Sequence, residues 1–104
     1  VAIPPLSLTQ RIDRAERLLR GGVPRTASDE AERIASEADD PSIVVRALRV
    51  VADGAERLGR YEAAARALEL AQRRAPADER SGLQLEQGRL LAQTIQTQMV
   101  LSAL

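Results

Sequence analysis

The turn Leu58-Gly59-Arg60-Tyr61 constrains this chain more than any other stretch, because an apolar-periodic segment abuts it on each side. Before it, Val44, Leu48, Val51, Ala52, Ala55 and Leu58 recur mainly at steps of three and four; after it, Ala64, Leu68, Ala71 and Ala75 do the same. That spacing puts each set on one face of a helix. So short a turn then forces the two faces together as an antiparallel pair. Gly59 is the natural turn residue, since it alone among the four adopts a positive φ without strain.

The order of residues in this hairpin is specific. Gly59 is followed two places later by the aromatic Tyr61, then by Ala64, Leu68, Ala71 and a closing Pro76; the helix before it carries Leu48, Val51, Ala52 and Ala55. In this pattern the stretch Arg46 to Asp78 resembles the tetratricopeptide repeat, a helical hairpin of about 34 residues. It departs at Leu48, where that family usually carries Trp. The resemblance implies an all-α fold: a right-handed α-solenoid of such hairpins, serving protein–protein interaction. It also implies that Arg46, Arg49, Asp53, Glu56 and Arg57 line the concave side of the first helix, where three Arg and two acids could hold a partner's carboxylate. The alternative is mutual pairing in solvent, with Asp53 and Arg57 satisfying each other.

Along the rest of the chain the signals give a single domain, 1–104. Residues 1–6 form an extended apolar arm, because Pro4 and Pro5 forbid helix. Ser7 and Gln10 form a capping box opening a first helix with Leu8, Ile12, Ala15 and Leu19 as its stripe, Leu18 beside it, and Gly21-Gly22 as its stop. A loop through Pro24 leads to a second helix over about 26–38, with Ala27, Ala31, Ile34 and Ala38 inward. Asp40-Pro41 starts the third helix, about 41–58, and the fourth runs over about 60–75. A fifth begins at Asp78 or Ser81 and runs to about Ala103. Overlaid, Ala15, Ala52 and Gly88 fall 37 and 36 residues apart, and Leu18, Ala55 and Leu91 stand three places after each. The segment 7–38 is therefore a degenerate repeat, 41–76 the best-matched one, and 79–104 a terminal half. That makes about two and a half repeats and five helices.

Charge limits the functions available. Fifteen basic and fifteen acidic residues cancel, which argues against a general binder of nucleic acid or of acidic membranes. All the basic residues are Arg, whose fork pairs well with carboxylates and stays charged. Seven acid-to-Arg pairs stand at four-residue spacing: Asp13–Arg17, Glu16–Arg20, Asp29–Arg33, Asp53–Arg57, Glu56–Arg60, Glu62–Arg66 and Glu69–Arg73. On a helix each is worth about 0.3–0.5 kcal/mol. Without His or Cys there is no conventional zinc or haem site and no imidazole-based triad. Ser and Thr have no base beside them, Asp39-Asp40 reads as helix capping, and Gly21-Gly22-Val23-Pro24 lacks the pattern of a phosphate loop. Neither an enzyme nor a cofactor is expected, and no run of about 18 apolar residues offers a membrane span.

Residues 1–10 and 90–104 carry no ionisable side chain. The ends of a helical array normally carry a polar outer face, because nothing stacks on them; a helix uncharged on every side is usually buried on every side. Val1, Ile3 and Leu6 at one end and Leu91, Ile95, Met99, Leu101 and Leu104 at the other are therefore the expected self-association surfaces. A neighbour's first helix or its Val1–Leu6 arm would cover the Leu91–Ile95–Met99 stripe, giving a head-to-tail homo-oligomer or filament. The alternatives are an adaptor binding a different protein on its concave face, or the scaffold part of a larger envelope enzyme. The last rests on the turn Leu58–Glu69 and the following Arg73–Gly82. With the degenerate repeats, over roughly 11–92, these look like the helical superhelix of soluble lytic transglycosylases, without any catalytic motif. A start at Val1 is what a removed export signal leaves. The expectation is an exported protein, periplasmic or extracellular, although a trimmed start looks the same.

Overall fold

Ser7 opens the first helix as its spacing to Gln10 predicts. Its hydroxyl accepts from the Gln10 amide at 3.1 Å, and the Gln10 side chain accepts from the Ser7 amide at 2.9 Å, so N–H groups orphaned at the helix start are satisfied. In the computed structural model, which describes residues 5–104, this helix is α1 (Leu8–Arg20). It is followed by α2 (Pro24–Glu37), α3 (Pro41–Arg57), α4 (Tyr61–Arg74) and α5 (Ala77–Ala103). The fold is all-α, with five helices and no strand among the described residues. Each helix packs on the next, and α1 also touches α3.

Helix ends repeat along the chain. Gly22 and Gly59 have φ of 84° and 75°, the left-handed conformation that ends a helix without a Cβ penalty. At each, two bonds close the same cap: Val23 N–H to Leu18 C=O at 3.0 Å and Gly22 N–H to Leu19 C=O at 3.2 Å after α1, then Arg60 N–H to Ala55 C=O at 2.8 Å and Gly59 N–H to Glu56 C=O at 2.9 Å after α3. By contrast, α2 and α4 end on the extended residues Ala38 and Ala75. Both are 14 residues long, and α4 begins and ends 37 residues after α2. The start of α2 differs from expectation, lying at Pro24 and not Thr26. Proline at the first helical position has its φ preset and lacks only an N–H that would be orphaned anyway.

Two clusters form the core. Ile12, Ala15 and Leu19 of α1 meet Ala27, Ala31 and Ile34 of α2 and Ala47 and Val50 of α3. Val45, Ala52 and Ala55 on the other side of α3 meet Ala64, Leu68 and Ala71 of α4, and Leu83 and Leu90 of α5. Helix α3 thus buries two faces, being held between α2 and α4, whereas the sequence periodicity suggested one. Leu48, Val51 and Tyr61 are half-buried at the edge of the second cluster, and Leu58 is exposed. Pro76, also exposed, is the N-cap of α5, which starts at Ala77, one residue before Asp78, the earlier of its two expected starts.

At Gly54, α2 and α3 approach so closely that no side chain fits. A Cβ there would lie 1.9 Å from Ser28 Oγ, 2.9 Å from the Pro24 carbonyl oxygen and 3.2 Å from Ser28 Cβ. Ser28 Oγ is buried there without a hydrogen-bond partner.

The arginines act between helices more than along them. Of the seven expected four-residue pairs, Glu69–Arg73 alone forms among the described residues, at 3.3 Å. Instead Arg11 of α1 bonds Glu30 at 2.8 Å and Glu37 at 2.7 Å on α2, and Arg46 of α3 reaches Asp13 at 2.7 Å and Glu16 on α1. Arg89 of α5 bonds Glu56 of α3 at 2.7 Å. The cause is geometric: a guanidinium has five donors on a long stem, and the grooves between these alanine-rich helices bring a neighbour's carboxylate into reach. Bonds to Glu37 and Glu30 raise the Arg11 pKa further, and the Arg11 bond holds Glu30 below the usual carboxylate range. Three more arginines donate to carbonyl oxygens at or just past helix ends: Arg57 to Leu19, Arg74 to Asp39 and Arg80 to Ala75. There they neutralise the negative ends of α1, α2 and α4.

The molecule is long, 62 × 31 × 19 Å, with a Cα radius of gyration of 15.1 Å; a compact domain of this length has about 13 Å.

Candidate functional site

Two surfaces stand out, one charged and one apolar. The charged one is a groove of about 570 Å³ running across α1, α3 and α5. Four of the five concave-side candidates, Arg46, Arg49, Asp53 and Arg57, line it at steps of three and four along α3; the fifth, Glu56, is not in its lining and accepts from Arg89 at 2.7 Å. The structure adds Glu16 and Arg20 from α1 and Glu86 and Arg89 from α5. Sequence reasoning missed these four. Their signal was the 37-residue register, which sets Glu16 opposite Asp53 in the repeat and so marks the equivalent face of α1.

Mutual satisfaction of Asp53 and Arg57 does not occur. Arg57 turns to the Leu19 carbonyl, because the exposed end of α1 offers an acceptor at the negative pole of a helix. Asp53 has no cationic partner within 4 Å among the described residues. Its carboxyl is pushed above the ordinary Asp range, first by the protein that displaces water from it and then by Glu86 and Glu56 nearby, with Arg57 and Arg49 pulling weakly the other way. Arg20 likewise has no carboxylate partner among the described residues, while Arg49 reaches Glu86 only at 3.7 Å. Chemically the groove offers an underpaired acid beside underpaired guanidiniums. No group of three or more acids able to hold a metal ion occurs among the described residues.

A raised folded-state pKa means that Asp53 binds its proton more tightly folded than unfolded. Its charged form therefore opposes folding at neutral pH, and that effect fades as pH falls through the raised pKa to the unfolded value. Asp53→Asn is expected to raise the Tm at pH 7 and to leave it unchanged below about pH 3, near or under the ordinary Asp value. Thermal unfolding across that pH range checks this; an equal shift at both ends would remove titration of Asp53 as the cause.

The apolar surface is the far half of α5. Leu91, 44% exposed, is followed at four-residue steps by Ile95 and Met99, both exposed, so the three form one stripe. Leu101 continues the face that Leu83 and Leu90 bury against α4, but it is exposed, as are Val100 and Leu104. Thr94, Thr97 and Gln98 lie beside Gly59 and Tyr61 at the α3–α4 turn. The remaining six residues extend past that turn by about 9 Å. No helix of the described residues is long and apolar enough to cross a membrane.

Within one copy, the described residues of the two uncharged ends lie on different helices. Val1 and Ile3 lie outside the described residues. Leu6 is exposed at the start of α1, which packs on α2 and α3, whereas α5 packs on α4. Nor does α1 present an apolar face to a neighbour: Ile12, Ala15 and Leu19 point inward, and its outer residues are Thr9, Gln10, Arg14, Arg17 and Arg20. A neighbour's first helix is therefore a poor cover for the α5 stripe, because burying Arg14 and Arg17 unpaired costs more than the apolar contact returns. No family model, no curated protein and no solved structure matches this chain.

Proposed function

We propose that this chain is a non-catalytic protein–protein interaction scaffold: a right-handed α-solenoid of two and a half tetratricopeptide-like hairpins that binds further copies of itself through the uncharged half of α5. The observation that carries this reading is the fate of one repeated position. Leu18 is half-buried and Ala55 is 7% exposed, each in the cluster completed by the helix that follows; at the equivalent position of α5, Leu91 stands open, 44% exposed. An apolar repeat face left open in this way is adhesive. The shared glycine caps, the 37-residue offset of α2 and α4, and the elongated shape support the solenoid. Binding of that end to a different surface of the next copy gives a ring if it closes and a filament if it does not.

Sedimentation velocity over a concentration series tests the reading. The chain is expected to sediment as species heavier than its 11.3 kDa monomer, growing with concentration. Ile95→Arg together with Met99→Glu should hold it at the monomer with its helical circular dichroism intact. A second reading, an adaptor for a different protein, is favoured by one observation: Asp53 and Arg20 stand unpaired in the α1–α3–α5 groove and suit a partner bearing both charges. A wild-type chain that stays monomeric throughout would move the conclusion to that reading.

A further inference from the structure

A second groove, of about 620 Å³, lies between α2 and α4 with α3 as its floor. The floor is apolar: Val44, Leu48, Val51, Ala55 and Leu58. Leu70 of α4 stands 48% exposed at its side. The walls differ in charge: the α2 wall carries Asp29 and Glu32 beside Arg25, whereas the α4 wall carries Arg66, Arg73 and Arg74, with the N-cap Arg60, and no acid. Its volume is that of a ligand cleft, and its floor is the stripe of α3 that α4 leaves partly uncovered.

We infer that the uncharged half of α5 from one copy lies in the α2–α3–α4 groove of the next. This rests on the self-assembly proposed above and names the receiving surface. The first argument is charge. A cationic or anionic segment between these walls would face like charge on one side. A neutral one avoids that, and its amides both accept from Arg66 or Arg73 and donate to Asp29 or Glu32. Residues 90–104 are neutral, with Gln93, Gln96 and Gln98 among the apolar side chains.

The second argument is perimeter. Two α5 helices paired side by side would each keep half their surface in water, where charged side chains cost nothing. The segment has none on any face, which fits enclosure by a floor and two walls. Length also allows it: residues 95–104 span about 14 Å, which fits within the roughly 21 Å of floor from Val44 to Leu58. Ile95, Met99, Val100, Leu101 and Leu104 stand exposed around this end of α5, and clustered exposed apolar side chains mark an interaction site. Because tail and groove are different surfaces, the contact can propagate from copy to copy.

Cross-mixing tests this. The groove variant is Leu58→Arg with Leu70→Arg, both at exposed positions; the tail variant is Ile95→Arg with Met99→Glu. Each alone is expected to sediment as a monomer at concentrations roughly tenfold above those at which the unmodified chain assembles. Mixed in equal amounts, they should form a one-to-one heterodimer and nothing larger, since one intact tail then meets one intact groove. Heterodimer formation itself shows that both variants are folded. If Leu58→Arg lowers helical circular dichroism, Leu70→Arg alone serves as the groove variant. A folded groove variant that assembles like the unmodified chain overturns the groove as receptor while leaving self-assembly standing. So do two monomeric variants that fail to combine. An unmodified chain that is monomeric at every concentration overturns both.

Discussion

Gly54→Leu is expected to lower the stability of the fold by about 3 kcal/mol, at the upper end of what overpacking usually costs. A Cβ at this position would lie 2.9 Å from the Pro24 carbonyl oxygen, a backbone atom that cannot rotate away. The Ser28 hydroxyl could turn aside, but Ser28 Cβ at 3.2 Å could not. Helices α2 and α3 must therefore separate, which opens the Ile12–Ile34–Val50 cluster along their seam. Better helix propensity returns less than about 1 kcal/mol of that loss. The urea midpoint measures the change. An unaltered midpoint would mean that the two helices do not meet at this glycine.

Leu68→Ala is expected to cost about 2–5 kcal/mol, the range for removing a buried leucine from a core that cannot collapse. Leu68 is 2% exposed in the cluster where α3, α4 and α5 meet. Its neighbours there are largely Ala52, Ala55, Ala64 and Ala71, side chains too short to move into the space. Calorimetric unfolding gives the number, and a loss under about 1 kcal/mol would place Leu68 outside the core. Gln72→Ala, by contrast, loses only the 2.6 Å amide bond from Gln72 to Gln87 of α5, about 1 kcal/mol. Half-buried Gln72 thus ties α4 to α5.

What sequence carried best was local. The stripe Ala27, Ala31, Ile34 and Ala38 is buried throughout, because helical spacing alone decides which side chains share a face. Gly22 and Gly59 were legible for a similar reason, since a left-handed cap selects its own residue. The second face of α3 was not. Val45, Ala47 and Val50 are buried only because α2 and α4 flank that helix, and a one-dimensional period cannot show how many neighbours a helix has. Gly54 carries no sequence signal of its own; its use appears only when α2 lies against it.

The arginine pairings were misjudged for the same reason. Four-residue spacing finds partners on one helix, but Arg46 takes Asp13 and Glu16 from 33 and 30 residues away. The charged groove was half legible: its four α3 residues share a face, while Glu16, Arg20, Glu86 and Arg89 join it through packing. For the uncharged half of α5, composition identified the surface but not its cover: the outer residues of α1 are polar, and most of the Val1–Leu6 arm lies outside the described residues.

The most direct test of the account is backbone hydrogen exchange on the unmodified protein at increasing concentration. Residues 99–104 extend past the α3–α4 turn, and a helix end with no tertiary contact frays and exchanges quickly. If the α5 end is held by another copy, the amides of residues 95–104 are expected to slow as concentration rises. Those of α1, which has no part in the contact, should stay constant. Fast exchange at residues 95–104 at every concentration would contradict the claim that this surface is an interface.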